Sequence, residues 1–170
     1  CEAVGGAEFV WTADPDERRI MWQARHDAAY AAMALRPGCK ASASDVCVPI
    51  SRLADCIVQT REDAAASSDL TTMIAGHVGD GNFHFVFLID PANRDEIDQM
   101  NAVHARLIDR ALAMGGTCTG EHGIGLGKRT YLLRECGPEA VRAMAAIKAA
   151  LDPNGIMNPG KKLPDPELYH

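Results

Sequence analysis

Apolar positions along this chain follow two patterns, helical spacing in some segments and short continuous runs in others. Between residues 94 and 114 apolar side chains recur three or four positions apart, which predicts an amphipathic helix. With caps and helix breakers at the ends, helices are predicted over residues 14–34, 51–66, 94–114, 126–135 and 138–151. Runs rich in β-branched and aromatic residues predict strands over residues 8–12, 45–50, 71–78, 83–89 and 117–119.

From residue 45 onward the predicted order is strand, helix, strand, strand, helix, strand. This order is typical of the ferredoxin-like split βαβ arrangement. We therefore predict an α+β fold, in which a ferredoxin-like antiparallel sheet has its helices packed on one face. We expect one domain over residues 1–170, in which residues 152–170 form an extended C-terminal arm without regular structure.

Composition narrows the class of protein. A net charge of −6 argues against nucleic-acid binding, because no excess of cations is available to neutralise phosphates. No apolar run approaches the roughly 20 residues of a membrane span, so the chain is not expected to be transmembrane. The six cysteines form no C-x-x-C pair, which favours free thiols in a reducing compartment. The chain starts at Cys1 rather than Met, so we expect a fragment of a longer protein.

A turn signal lies between the strands predicted over residues 71–78 and 83–89. Asp80-Gly81 is typical of a two-residue type I′ turn, in which both central residues have positive φ. Such a turn places His77 directly opposite His84, and opposed residues on antiparallel strands share one face of the sheet. Two imidazoles side by side can bind one metal ion. The alternative is a cross-strand histidine pair without a ligand.

A second cluster lies in the glycine-rich segment 120–125, which contains Glu121 and His122. Two imidazoles and one carboxylate suit zinc, and also manganese or iron. His77, His84 and Glu121 are therefore predicted to bind a divalent metal, with one position open for water or substrate. His122 is the candidate general base. On the residues alone, Arg25 and Lys40 are either substrate clamps or solvated surface charges.

Several motifs occur in an order and spacing that match a known family. They are Trp22-Gln23-Ala24-Arg25-His26, Arg36-Pro37-Gly38-Cys39-Lys40, Asp45-Val46-Cys47-Val48-Pro49-Ile50-Ser51, residues 77–84, residues 116–125, and Leu151-Asp152-Pro153 through Asn158-Pro159-Gly160-Lys161. The chain resembles the C-terminal domain of FAD-linked oxidases of the vanillyl-alcohol oxidase type. Within these it is most similar to cytochrome-linked D-lactate dehydrogenases and glycolate oxidase subunits.

The resemblance implies a set of roles. FAD is bound mainly by an N-terminal domain that is absent from this chain, and Asn158 lies in an arm that returns toward the flavin. The metal ligands fall on His77, His84 and Glu121, with zinc as the expected metal, and the catalytic histidine falls on His122. Substrate contacts fall on three further residues: Arg25, Lys40 and Asn82.

The implied reaction is oxidation of a D-2-hydroxy acid to the 2-oxo acid. The metal activates the hydroxyl, His122 removes its proton, and a hydride passes to the flavin. Relatives that oxidise D-2-hydroxyglutarate carry threonine at the position of Ala29, so this chain is expected to prefer D-lactate, with glycolate or D-2-hydroxyglutarate as alternatives. The electron acceptor would be cytochrome c, a quinone or an electron-transfer flavoprotein.

The implied location is cytoplasmic, peripheral at the inner membrane in a bacterium, or mitochondrial in a eukaryote. The isolated chain is expected to be catalytically silent, because it lacks the flavin. Two other functions remain open from the residues. One is a non-catalytic metal- or carboxylate-binding module of ferredoxin-like fold, and the other is a metallohydrolase in which His122 activates a metal-bound water.

Overall fold

The computed structural model describes residues 5–6 and 10–169, and it divides the chain into two compact units. Residues 1–38 form the first unit and residues 39–170 form the second. The first unit contains α1 (Pro15–Ala34), and the second contains the sheet and the remaining helices.

The helix α1 begins and ends close to the positions predicted from sequence. The Asp14 side chain accepts hydrogen bonds from the backbone N–H groups of Asp16 and Glu17, and Pro15 occupies the first turn. The predicted strand over residues 8–12 is not observed where it can be checked. Residues 8 and 9 lie outside the described residues, and residues 10–12 have no strand structure.

The sheet of the second unit is built around its longest strand, β4. Its strands are β1 (Lys40–Ala43), β2 (Val46–Cys47), β3 (Thr71–His77) and β4 (Asn82–Ile89). The strand β4 pairs antiparallel with β3 along one edge and with β1 and β2 along the other. A single bridge, Cys47 to Thr117, replaces the last predicted strand and lies beside β2. The resulting order of segments is that of the ferredoxin-like arrangement, and the predicted α+β class is confirmed.

The prediction of one strand over residues 45–50 is wrong in its limits. Pairing starts at Lys40, stops at Ser44 and Asp45, and resumes until Cys47. The interruption has a local cause, because the N–H of Phe85 donates to the Ser44 hydroxyl at 2.8 Å rather than to a backbone carbonyl. The register is the same on both sides of this break, so Asp45 lies opposite His84.

The hairpin between β3 and β4 differs from the predicted turn. Residues 78–81 form the loop, with a 3₁₀ turn over Val78–Asp80 and positive φ at Gly81 but not at Asp80. His77 therefore pairs with Asn82, and His84 pairs with Ala75. The predicted register is wrong by two residues. Because the side-chain period of a strand is two, His77 and His84 still lie on the same face.

The core lies on the face of β4 that is opposite to His84. Every second side chain of β4 is buried in one apolar cluster, which contains Phe83, Phe85 and Phe87. These residues alternate along the strand with Asn82 and His84, which face the other side. The helices α2 (Ile50–Ser67) and α3 (Arg94–Ala113) supply the facing side chains, among them Leu53, Val103, Leu107 and Ile108. The predicted packing of helices on one face is confirmed, and it leaves the other face available for His77 and His84.

The helix α4 (Arg129–Leu151) consists of two helical segments, as predicted, because Gly137 interrupts it with φ of 78° and Pro138 follows. Residues 152–169 form an irregular arm with a 3₁₀ turn at Pro166–Leu168. The arm folds back, since the Arg142 guanidinium donates to the carbonyl oxygen of Tyr169 at 2.6 Å. Among the described residues, none of the helices has the length and apolar content needed to cross a bilayer.

Candidate functional site

Three side chains from two distant segments meet on the open face of the sheet. The Nε2 atoms of His77 and His84 lie 3.3 Å and 3.0 Å from Oε1 of Glu121. The two imidazole rings have centroids 6.1 Å apart and are nearly perpendicular. The hairpin supplies both histidines, and the loop after Thr117 brings in Glu121. The three residues that the sequence groups as metal ligands are thus close together.

The geometry of this cluster fits a divalent metal. One donor atom from each of the three residues lies within 4.8 Å of the others. Zinc lies about 2.0–2.1 Å from such ligands, so ligand atoms around a tetrahedral ion are about 3.3 Å apart. The observed separations of 3.3 Å and 3.0 Å from Glu121 match this spacing. Three protein ligands leave a fourth position for a small molecule.

His84 is oriented for this role by its second nitrogen. Its Nδ1 lies 3.2 Å from the carbonyl oxygen of Ser44, so a proton on Nδ1 is donated there and Nε2 keeps its lone pair. The His84 side chain is 14% exposed and the His77 side chain is 37% exposed, so His84 is the more fixed of the two. Such a backbone contact is the usual support for a metal-binding histidine.

His122 lies beside the cluster rather than inside it. Its ring centroid is 5.0 Å from that of His84, and its Nε2 is 3.7 Å from Oε1 of Glu121. The His122 side chain is 55% exposed, so a small molecule can reach the ring. This position suits a proton acceptor next to a metal-bound hydroxyl.

The loop carrying Glu121 and His122 is held by a buried carboxylate that the sequence did not single out. Asp45 Oδ2 accepts hydrogen bonds from the Thr119 hydroxyl at 2.8 Å and from the N–H groups of Gly120, Glu121 and His122 at 2.9, 3.0 and 2.8 Å. Consecutive N–H groups that converge on one anion form a backbone nest. Asp45 thus joins this loop to the edge of the sheet.

The hydrogen bonds decide the charge of Asp45. Burial alone would raise the pKa of this carboxyl, but hydrogen bonds from Asn82, His122, Thr119 and Glu121 outweigh it and hold the pKa well below its usual value. Asp45 is therefore an anion at neutral pH. Lys128 lies nearby, and its Nζ donates to the backbone oxygen of Asp45 at 2.6 Å. Burial lowers the pKa of Lys128, and the charge of Asp45 opposes this effect.

Asn82, which contacts Asp45, has an unused acceptor atom. Its Nδ2 donates to Asp45 Oδ1 at 2.9 Å and to the carbonyl oxygen of Val46 at 3.3 Å, which fixes the orientation of the amide. The residue is 6% exposed, and its Oδ1 is buried without a hydrogen-bond partner among the described residues. A buried acceptor of this kind is expected to receive a hydrogen bond from a ligand or water.

Gly120 allows the close approach between the loop and the sheet. A Cβ atom at this position would lie 1.6 Å from Nδ2 of Asn82 and 2.8 Å from Oδ1 of Asp45. No side chain fits in that space, so the loop can reach Asp45 only with glycine at this position. The sequence shows the glycine before Glu121, but it does not show that Asp45 is the partner of Gly120, because Asp45 lies 75 residues earlier.

Two other predicted residues lie on different elements, Arg25 on α1 and Lys40 on β1. Arg25 lies on α1, in the first unit, with its guanidinium 5.3 Å from the centroid of the Trp22 ring. Lys40 pairs with Ile89, five residues along the strand from Asp45, which is about 17 Å at the usual rise per residue. By the alternation of the strand, Lys40 is also on the opposite face from His84.

Asn158 lies in the C-terminal arm, in the left-handed conformation with φ of 46°. It lines an apolar groove of about 410 Å³ with Ile147, Met157 and Lys161 among its other walls. This groove is formed by α4, the arm and Ile124 of the loop after His122, rather than by the sheet.

The chain is similar to known proteins over most of its length. Residues 1–162 match the family described as FAD linked oxidases, C-terminal domain. A probable mitochondrial D-lactate dehydrogenase of Danio rerio is 58% identical over 94% of this chain and 32% of its own length. A mitochondrial cytochrome-type D-lactate dehydrogenase of Arabidopsis thaliana is 44% identical over 94% of this chain and 28% of its own length. A glycolate oxidase subunit of Bacillus subtilis is 39% identical over 92% of this chain and 33% of its own length.

This chain therefore spans about a third or less of the length of these relatives. The family match covers nearly all of the chain, in agreement with the order of motifs along the sequence. The chain belongs to the FAD linked oxidases, as their C-terminal domain.

Proposed function

We propose that residues 1–170 form the substrate-binding domain of an FAD-dependent dehydrogenase that oxidises a D-2-hydroxy acid, with D-lactate as the preferred substrate, to the 2-oxo acid. The observation that carries the proposal is the cluster of His77, His84 and Glu121 with His122 beside it. The names of the relatives support the substrate, since two of them are called D-lactate dehydrogenases.

We propose that His77, His84 and Glu121 hold a divalent metal, with zinc as the ion that best suits two imidazoles and a carboxylate. When bound, the metal supplies positive charge that lowers the pKa of a coordinated hydroxyl. The contact of His84 with the Ser44 carbonyl keeps Nε2 directed toward this position. Glu121 contributes the negative charge that balances part of the charge of the metal.

His122 is the proposed general base, which accepts the proton of the substrate hydroxyl at Nε2. Its ring is exposed and lies next to Glu121, so a substrate that reaches the cluster also reaches His122. Asn82 is the proposed substrate contact, because its buried Oδ1 has no partner among the described residues and can accept a hydrogen bond from the bound molecule. Both residues act on the hydroxyl side of the substrate.

The flavin is bound mainly by a domain outside this chain, and it supplies the redox chemistry as hydride acceptor. Arg25 is the proposed partner of the substrate carboxylate, because a guanidinium can bind it with two hydrogen bonds. Ala29 cannot donate a hydrogen bond to a second carboxylate, which favours a small substrate. Asn158 is the proposed contact of the arm with the flavin-binding part of the protein.

The electron acceptor and the location follow the relatives. We propose cytochrome c as the acceptor and a mitochondrial location if the source is a eukaryote. The name of the Arabidopsis thaliana relative contains the words cytochrome and mitochondrial, which supports both parts of this proposal. Glycolate is the second candidate substrate, because the Bacillus subtilis relative is named a glycolate oxidase subunit.

The test is D-lactate-dependent reduction of cytochrome c by the protein that contains this chain together with its flavin-binding part. We expect His122→Asn to lower kcat/KM by about 10²–10⁴-fold, the usual contribution of a general base, with unchanged metal content. His104→Gln is the matched control, since His104 lies on α3 and α3 packs on the other face of the sheet. Glycolate, D-2-hydroxyglutarate and L-lactate are compared in the same assay.

Two results would contradict the proposal. One is full activity of the His122→Asn variant, and the other is ester or amide hydrolysis by the isolated 170-residue chain. The second result would favour a metallohydrolase, since that reaction needs no flavin. The isolated chain is expected to be inactive on D-lactate.

A further inference from the structure

We infer that Asp45 is the positioning residue of this site: its buried carboxylate holds the loop 119–122 against the sheet and so sets the places of Glu121 and His122. The inference rests on the proposed function, because it concerns the metal ligand and the base named there. It adds a residue that touches neither the substrate nor the metal. Asp45 acts through the groups that it holds.

The backbone hydrogen bonds of the loop to the sheet converge on this one carboxylate. Its backbone N–H groups from Gly120 to His122, together with the Thr119 hydroxyl, all donate to Asp45 Oδ2 within 3.0 Å. The loop pairs with no strand after the bridge at Thr117, among the residues that the structure describes. Without the carboxylate, four donors lose a common acceptor, and the backbone of the loop is no longer attached to this edge of the sheet, although the Glu121 side chain still contacts His77 and His84.

Asp45 holds the sheet side of the site as well. Its Oδ1 accepts from Nδ2 of Asn82, which leaves the amide oxygen of Asn82 turned away from Asp45. The same Oδ1 lies 3.8 Å from Nδ1 of His84. Asp45 itself is fixed, because its backbone carbonyl accepts from Lys128 and its neighbours in β1 and β2 pair with β4. One carboxylate thus joins both halves of the proposed metal site.

The competing interpretation is that Asp45 stabilises the fold and nothing more. Asp63 separates the two interpretations, because it makes a comparable set of charged hydrogen bonds outside the site. Its carboxylate accepts from Arg106 at 2.9 Å and from Arg110 at 3.2 Å and joins α2 to α3. Removing the charge of Asp63 lowers stability but leaves the loop 119–122 in place. Asp63→Asn is therefore the matched control.

The experiment compares Asp45→Asn, Asp63→Asn and the unchanged chain by two measurements. Amide hydrogen exchange, read on peptides that cover residues 119–122, reports whether the loop is held. Titration with Zn²⁺ gives the dissociation constant of the metal site. We expect Asp45→Asn to speed exchange in this loop at least about tenfold and to weaken Zn²⁺ binding about 10–100-fold, the range for residues that orient metal ligands. Asp63→Asn should change neither quantity.

Thr119→Val provides a second variant that keeps the shape of the side chain and removes one donor to Asp45. Thr119→Val should give a smaller change in the same direction. It replaces Asp45→Asn in the experiment if Asp45→Asn does not fold. Unchanged loop exchange in both variants overturns the inference, as does an equal change in Asp63→Asn. If the unchanged chain binds no Zn²⁺, the proposed metal function fails in this chain, while the exchange measurement still decides the role of Asp45.

Discussion

Gly120→Ala tests the geometry of the site with the smallest possible change. The added Cβ would lie 1.6 Å from Nδ2 of Asn82, whereas nonbonded atoms prefer separations of about 3.5 Å or more. One side must move by about 2 Å. Asn82 resists this movement, because it is buried and its amide nitrogen donates to Asp45 and to the carbonyl of Val46. The loop is therefore expected to lift away from the sheet.

The expected loss follows from the hydrogen bonds that break. A lifted loop loses the bonds from the N–H groups of Gly120, Glu121 and His122 to Asp45. Hydrogen bonds to a charged acceptor contribute about 1.5–3 kcal/mol each, and these amides regain water, so the lower value applies. We expect the free energy of unfolding to fall by about 3–5 kcal/mol. A 2 Å displacement also separates Glu121 from the two histidines and weakens metal binding.

The assay is urea unfolding followed by circular dichroism, with metal content measured on the same samples. Gly127→Ala is the matched control, because a Cβ at Gly127 meets no atom within 4 Å and its φ is not in the left-handed range. The control should change the free energy of unfolding by less than about 1 kcal/mol. If Gly120→Ala and Gly127→Ala unfold at the same urea concentration and hold the same amount of metal, the reasoning is refuted.

Three further predictions concern the second unit. Hydrogen bonds from Arg106 lower the pKa of Asp63. The stability that Asp63 contributes is therefore complete above the unfolded pKa of about 3.9 and is lost as the pH falls through the folded pKa. Asp63→Asn should remove this pH dependence from acid unfolding curves. Phe85 is completely buried, and Phe85→Ala should lower the free energy of unfolding by about 3–5 kcal/mol in urea. Burial raises the pKa of Cys118 to about 12, so iodoacetamide at pH 8 should modify the exposed Cys136 and leave Cys118 unmodified, as peptide mass spectrometry would show.

The sequence predicts the two hairpin strands because their apolar runs are long and the turn signal between them is strong. It does not predict the register, because contacts outside the hairpin shape the turn. Gly81 packs against the backbone of Val48, where an added Cβ would lie 2.1 Å from the carbonyl oxygen, and the N–H of Val48 donates to the Gly81 carbonyl. Because the error is two residues, His77 and His84 still share one face of the sheet, although they do not pair directly as predicted.

The edge strand β1 was missed for a different reason. Its sequence, Lys40-Ala41-Ser42-Ala43, has no run of β-branched or aromatic residues and only a weak strand preference. The strand forms because β4 offers a partner along its other edge. Propensity alone cannot reveal pairing that depends on a segment more than 40 residues away.

The sequence groups His77, His84 and Glu121, which the structure brings together, but it does not reveal the residue that joins the two halves of this cluster. His77, His84 and Glu121 are recognisable because their side chains are of metal-binding types in turn and loop segments. From the sequence alone, Asp45 is only an acidic residue at the start of a predicted strand. Its importance comes from the loop 119–122, which folds onto it from more than 70 residues later. Lys40 shows the opposite case, since resemblance assigned it a role while the register places it on the other face from His84.

The division into two units separates two kinds of chemistry in the proposed mechanism. The groups proposed to act on the hydroxyl lie on the sheet and on the loop that the buried Asp45 carboxylate holds, and both belong to the second unit. The residues proposed to recognise the rest of the substrate, Arg25 and Ala29, lie on α1 in the first unit. If the proposed roles hold, changes on α1 are expected to alter which hydroxy acid is accepted without disturbing the proposed metal ligands. It follows that substitutions at Ala29 should change relative kcat/KM values among hydroxy acids, whereas substitutions at Asp45 should reduce all of them together.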